Sequence, residues 1–191
     1  YDEIDGSWVL LLQRDFFNDS YAGKKEINII NLSVSGHTSQ EVRERIMPES
    51  QARKNNEQIL TIVAIGVNDS YEKNGVRRTS EDDFRNNVQE IIKSAKNFGD
   101  VLVLGCSACV DSRVQPTSWN SALHYSNNLV KVYENILREC ADREDVAFVP
   151  LWQVTYDAQQ NVETMPDGIH PNAKGHKVIY NEVKKILREM I

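Results

Sequence analysis

Short, β-branched apolar runs that alternate with amphipathic helical segments run through most of this chain, and few architectures accept that order. Residues 58–65 read QILTIVAI, a continuous apolar run ended by Gly66, which is the pattern of a strand covered on both faces. A helix should follow, because Ser80 and Asp83 form a cap pair ahead of Phe84, Val88, Ile91, Ile92 and Ala95, which share one helical face up to the break at Phe98-Gly99. The unit then repeats. DVLVLG at 100–105 is the next strand, a loop runs to about Asn120, and a helix carries Leu123, Val130, Tyr133, Leu137 and Cys140 inward before a last strand at 146–151.

The flanks extend the series. Trp8, Leu11, Leu12 and Phe16 recur at helical spacing over residues 7–17, and the isoleucine-rich EINIINL at 26–32 predicts a strand. Thr38 with Glu41 is a capping-box signature that opens a polar helix, expected to stop near Met47-Pro48. A loop should carry the chain from the last strand to DGIHPN, with Pro171 in the first turn of a closing helix that buries Val178, Ile179, Val183, Ile186 and Leu187. Strands alternating with helices imply right-handed crossovers and an α/β fold, a three-layer αβα sandwich with a flavodoxin-like parallel sheet between helices. Because the series opens on a helix, a preceding strand is expected before Tyr1.

At 191 residues the chain suits one domain over 1–191 with a core that needs no staples. A net charge of -6 without a clustered basic face argues against a nucleic-acid partner, and no apolar run approaches the roughly 20 residues of a membrane span. The odd set Cys106, Cys109 and Cys140 fits free thiols in a reducing, cytoplasmic setting. The sequence is silent on oligomeric state.

In open parallel sheets ligands bind beyond the carboxyl ends of the strands, so the segments that follow strands carry the functional question. In NLSVSGHTS, Gly36 permits a sharp turn and aims a backbone N–H outward; alone, it reads as an ordinary turn glycine. In GVNDS, Asn68 offers a side-chain amide two residues past Gly66, although Asn-Asp is also common turn chemistry. In DGIHPN, Asp167 and His170 lie three apart ahead of a helix, close enough for the carboxylate to accept from Nδ1–H and leave Nε2 as a general base. The conjunction on one rim says more than any one of the three.

These three blocks resemble those of the GDSL/SGNH hydrolases: Gly36 in the Asn-and-Gly block, Gly66-Val67-Asn68-Asp69 as GxND, and Asp167-Gly168-Ile169-His170 as DxxH, in the family's order and spacing. The resemblance covers nearly the whole chain and extends to His170–His176, HPN-x-x-GH. It implies a serine esterase acting on a small ester such as an acetate, with no metal or cofactor. His170 would be the base, Asp167 its orienter, and the Gly36 N–H and Asn68 amide the oxyanion donors. The family's Gly-Asp-Ser block is not found; Asp5-Gly6-Ser7 is a scrambled look-alike whose Ser7 reads as a helix cap, and Ser33, Ser35 and Ser107 match no nucleophile motif. The nucleophile is therefore expected before Tyr1.

Other readings compete. A catalytically inactive relative that binds an ester or glycan would explain the missing serine. Cys106-Ser107-Ala108-Cys109 is a CxxC after a strand, open to a redox pair or half a zinc site, but residues 111–116 read as loop where a redox motif wants a helix. No G-x-G-x-x-G or Walker loop supports a nucleotide module. His37, open to lining the cleft beside Gly36, reads as a solvated loop residue, and His124 and His176 as helical; Trp119 and Trp152 flank loops at the rim, open to shaping an acyl or sugar pocket, but read as half-buried packing. Glu81-Asp82-Asp83 compensates a helix dipole. Acyl and alcohol preference would come from loops 71–78 and 110–119.

Overall fold

The computed structural model describes residues 6–55 and 57–191. A parallel sheet of β1 (Ile59–Ala64), β4 (Gly99–Leu104) and β6 (Ala147–Val149) runs in the order β1-β4-β6, with Thr61 opposite Val101 and Val103 opposite Phe148. The residues between β1 and β4 supply β2 (Glu72–Lys73), β3 (Val76–Arg77) and α3 (Glu81–Lys96). β2 and β3, with β5 (Leu123–His124), form a small antiparallel sheet in the order β3-β2-β5.

Side chains alternate across β4. Val101 and Val103 enter a core formed with α2 (Ser39–Arg53), α3 and α5 (Asn127–Arg143), whereas Leu102 and Leu104 enter a second one with α1 (Trp8–Tyr21) and α7 (Ala173–Met190). Helices thus cover both faces, and the three-layer αβα sandwich read from the sequence is the fold. Helix α3 shows how the sequence sets one layer. Ser80 Oγ accepts from the Asp83 N–H at 3.1 Å, acidic residues fill the first turn and lysines the last, and Phe84, Val88, Ile91, Ile92 and Ala95 have no exposed surface. Ser7 caps α1, accepting from the Leu10 N–H. Among the described residues no helix is long and apolar enough to cross a membrane.

Several expectations fail for local reasons. Residues 26–32 form no strand, since no neighbour supplies a ladder among the described residues; side chains take up its carbonyls instead, Gln13 Nε2 at Ile29 and Arg45 Nη1 at Leu32. Ile27 and Ile29 pack inward while Ile30 is 61% exposed. Helix α2 does not stop at Pro48, which removes one ladder bond only; the Arg45–Glu49 pair at 2.9 Å straddles the gap and Ile46 anchors the turn. The loop expected after β6 contains α6 (Trp152–Asn161), and part of the 106–126 segment is the short helix α4 (Asp111–Val114). Leu123 and His124 lie in β5, since Ser126 caps α5 only after them, and Pro171 precedes the Asn172 cap of α7 instead of entering the helix.

Truncating Ile91 to alanine should destabilise the fold by about 2–5 kcal/mol, whereas Ile30→Ala should stay within about 0.5 kcal/mol. Urea unfolding of both variants checks this; a large loss at Ile30 would restore the buried strand.

Candidate active site

The Gly36 turn is built by local hydrogen bonds. Asn31 Oδ1 accepts from the Ser33 N–H at 3.0 Å, the His37 N–H reaches the Val34 carbonyl at 3.3 Å, and Gly36 takes φ +79°, the value a type II turn needs at its third position. Within 4 Å of where a Gly36 Cβ would lie there is no neighbouring heavy atom among the described residues, so the dihedral requires glycine and the space before it is open. Asn68 Nδ2 donates to the His37 carbonyl at 3.1 Å. That bond brings the GVNDS loop against the Gly36 turn and leaves the second amide N–H of Asn68 for a ligand oxygen. The His37 ring is half-buried with Nδ1 screened from solvent, a departure from the solvated reading.

Asp69, part of the GxND block but given no role of its own in the sequence analysis, makes this arrangement firm. Asp69 has no exposed surface, and its carboxylate accepts from the Ser39 N–H at 3.0 and 3.1 Å and from Ser39 Oγ at 2.7 Å, while Asn87 Nδ2 donates to the same hydroxyl at 3.0 Å. A negative group at the first turn of α2 faces the positive end of that helix. Burial pushes the Asp69 pKa up, with the Ser39 donors acting against it. Beside it, Gly66 sits at φ +115°, where a Cβ would meet Cys106 Sγ at 2.8 Å.

The DGIHPN loop is a second self-contained unit. Asp167 Oδ1 accepts the N–H groups of Ile169 at 3.0 Å and His170 at 2.8 Å, and Asp167 Oδ2 lies 2.6 Å from His170 Nδ1. Partial burial works to raise the Asp167 pKa, but the His170 and Ile169 N–H groups and the imidazole outweigh it and hold the carboxylate below its usual range. With Nδ1–H given to that carboxylate, the lone pair resides on Nε2. Gly168, at φ +95°, leaves no room for a Cβ between Val114 and Arg113, and its carbonyl accepts from the Val110 N–H at 2.8 Å. Asn172 then caps α7 through Lys174 and Gly175, which accounts for the HPN-x-x-G spacing.

Direct contacts therefore unite Asp167 with His170, and Asn68 with the Gly36 turn. Between the loops that carry the two pairs runs a relay of contacts. Tyr71, just past Asp69, touches Tyr125 with ring centroids 5.3 Å apart; the Tyr125 N–H bonds the Val114 carbonyl; and Val114 underlies Gly168. A groove of about 320 Å³ opens beside Tyr125, against Glu72, His124 and Leu129, and includes none of the four site residues.

The CxxC does not have the chemistry of a redox pair. Cys106 and Cys109 are buried and unpaired; Cys106 Sγ points at the Ile65 carbonyl, and Cys109 Sγ at Asp111. Burial pushes the Cys106 thiol up and, with Asp111 adding to it, the Cys109 thiol up to about 12, the opposite of the lowered thiol pKa that a redox pair uses. Among the described residues no three His, Cys, Asp or Glu side chains converge as a metal site. Trp152 stacks on Tyr156 as packing, while Trp119 lies against the His170 ring.

The model of the GDSL-like Lipase/Acylhydrolase family matches residues 4–178. An isoamyl acetate-hydrolyzing esterase of Saccharomyces cerevisiae is 26% identical over 171 residues, spanning 85% of this chain and 70% of the yeast protein. Among solved structures, a lipase/acylhydrolase from Enterococcus faecalis superposes with a TM-score of 0.75 at 17% identity, covering 96% of this chain and 85% of that one. The acetyl xylan esterase AlAXEase does so with a TM-score of 0.74 at 17% identity, covering 97% and 96%.

The turn that carries Gly36 is tied to α2 by the capping box, where Glu41 accepts from the Thr38 N–H at 2.8 Å and from its hydroxyl. The Thr38 hydroxyl first, and then its N–H, hold the Glu41 carboxyl down at about 2, against an ordinary 4.5. A depressed carboxylate stabilises the fold above its unfolded pKa and loses that contribution as pH falls through the folded one. The stability difference between the native protein and Glu41→Gln should therefore be constant above about pH 5 and shrink as pH falls toward about 2. Urea unfolding across that range reads it; a difference flat with pH would refute the assignment.

Proposed function

The chain belongs to the GDSL-like Lipase/Acylhydrolase family as a carboxylic-ester hydrolase, and on that premise we propose that it hydrolyses a small acyl ester, an acetate above all, through an acyl-enzyme. The observation that carries the mechanism is the 2.6 Å contact between Asp167 and His170 Nδ1, which fixes the tautomer that puts the basic lone pair on Nε2. In this reading a serine Oγ adds to the ester carbonyl as Nε2 takes its proton. The carbonyl oxygen becomes an oxyanion held by the Gly36 N–H and the Asn68 amide, and its collapse breaks the bond to the alcohol, which leaves with the proton from His170. Water then repeats the sequence on the acyl-enzyme and releases the carboxylic acid. We assign the nucleophile to none of the described residues.

The yeast relative named for isoamyl acetate and the structural neighbour named for acetyl xylan both support a short acyl group. The proposed steps use protein groups and water within one domain, and the unpaired thiols of Cys106, Cys109 and Cys140 support a reducing, cytoplasmic setting.

His170→Ala should lower kcat on p-nitrophenyl acetate by about 10²–10⁴-fold. Asn68→Ala should cost about 10²–10³-fold, with KM moved much less. Fluorophosphonate labelling followed by peptide mass spectrometry should place the reagent on one serine, and only with His170 intact. Equal turnover by the native protein and His170→Ala would remove His170 as the base; absence of both labelling and turnover would favour an ester- or glycan-binding relative.

A further inference from the structure

Trp119 packs against His170 with ring centroids 5.7 Å apart and planes tilted by 42°, yet 48% of its surface stays in solvent. An indole left half exposed gains little for the fold, and its side chain is costly to leave wet. The backbone that presents it is held in place. Thr117 is almost wholly buried, its N–H reaching the Leu123 carbonyl at 2.9 Å and its hydroxyl the Asn120 carbonyl at 2.8 Å, while Asn120 Oδ1 accepts from the Ala122 N–H at 3.0 Å. The Asn74 N–H bonds the Ala122 carbonyl at 3.0 Å, tying this turn to the β2–β3 hairpin that follows the Asn68 loop. A fixed turn thus holds an exposed aromatic face beside the imidazole.

Acyl-transfer chemistry determines which part of an ester would meet that face. The base must reach the proton of the nucleophile and then the oxygen of the departing alcohol, each within about 3 Å of the same nitrogen. The carbons of the alcohol therefore lie next to the imidazole, whereas the acyl chain leads away from the carbonyl carbon on its other side. An indole in contact with the imidazole is positioned for the alcohol.

We propose that Trp119 is a specificity-determining residue for the alcohol half of the ester, packing against leaving alcohols that present a flat or CH-rich apolar face. The proposal rests on the reading of His170 as the base. It has a kinetic consequence. The alcohol departs before water attacks the acyl-enzyme, so Trp119 acts on acylation and leaves deacylation unchanged.

The test compares the native protein, Trp119→Ala, Trp119→Phe and His170→Ala on methyl, butyl and benzyl acetate, and on benzyl esters of lengthening acyl chain. Trp119→Ala should lower kcat/KM for benzyl acetate roughly tenfold and for methyl acetate less than about twofold, with Trp119→Phe restoring most of the loss. The loss should be the same along the acyl series, and the deacylation rate, read from the single-turnover decay of acyl-enzyme formed with p-nitrophenyl acetate, should not change. Equal losses on methyl and benzyl acetate, or a loss that grows with acyl length, would overturn the proposal while an inactive His170→Ala leaves the base in place. Full turnover by His170→Ala would overturn both.

Discussion

Everything at the rim depends on β4 being paired in parallel on both sides, because that pairing brings the carboxyl ends of three strands to one edge. The register Ala64–Leu104–Val149 aligns the last residues of β1, β4 and β6. Beyond them begin the Asn68 loop, the 106–126 segment and α6. The pleat of β4 sends valines to one core and leucines to the other, so a slip of one residue would exchange both layers at once. Glu134 makes the edge more rigid: buried on α5, it accepts the N–H groups of Leu151 and Trp152, and it lies where a Cβ on Gly105 would have to go. The C-terminal edge of the sheet is thus tied by hydrogen bonds as well as packed.

Two carboxylates with opposite surroundings then divide the work. Asp69 is fully buried and spends its oxygens on Ser39, which locks α2 against the end of β1 and keeps the Gly36 turn in front of Asn68. Asp167 is partly exposed and spends its oxygens on its own loop and on one imidazole nitrogen. The first carboxylate removes freedom from the scaffold; the second sets a proton's position. Neither could replace the other, since a buried aspartate in contact with solvent would lose its hold on the helix and a locked one could not face a substrate.

What could be read from the chain followed the length of each signal. Helix α3 spans more than four turns with an apolar stripe and a cap, so its position came through, and so did the paired spacing of Asp167 and His170, a local relation that needs no tertiary information. Helix α6 escaped because Thr155 is its only fully buried residue and no side chain caps it, which leaves a polar run without a stripe. Strands of two residues, such as β2 and β5, are too short to show a period. The isoleucines at 27, 29 and 30 overstate a strand because propensity describes the residues and not the neighbour that a ladder needs. The sequence shows Asp69 within the GxND block but not its role, since its partner Ser39 lies thirty positions away and only folding brings the two together.

The exposure of the site has a consequence for its energetics. The His170 side chain is 51% exposed and Asp167 35% exposed, so water screens the pair and weakens its electrostatic worth. On the proposed mechanism, a small ester entering beside Asn68 and Gly36 would displace some of that water, and the same 2.6 Å contact would then act in a lower dielectric, where it would hold an imidazolium more strongly. The increase would come with the substrate and would therefore fall on the step where charge develops on the imidazole. An alcohol group that covers the open side of His170 against Trp119 would add to this shielding, so the size of the leaving alcohol bears on how well the base works as well as on how well the ester binds.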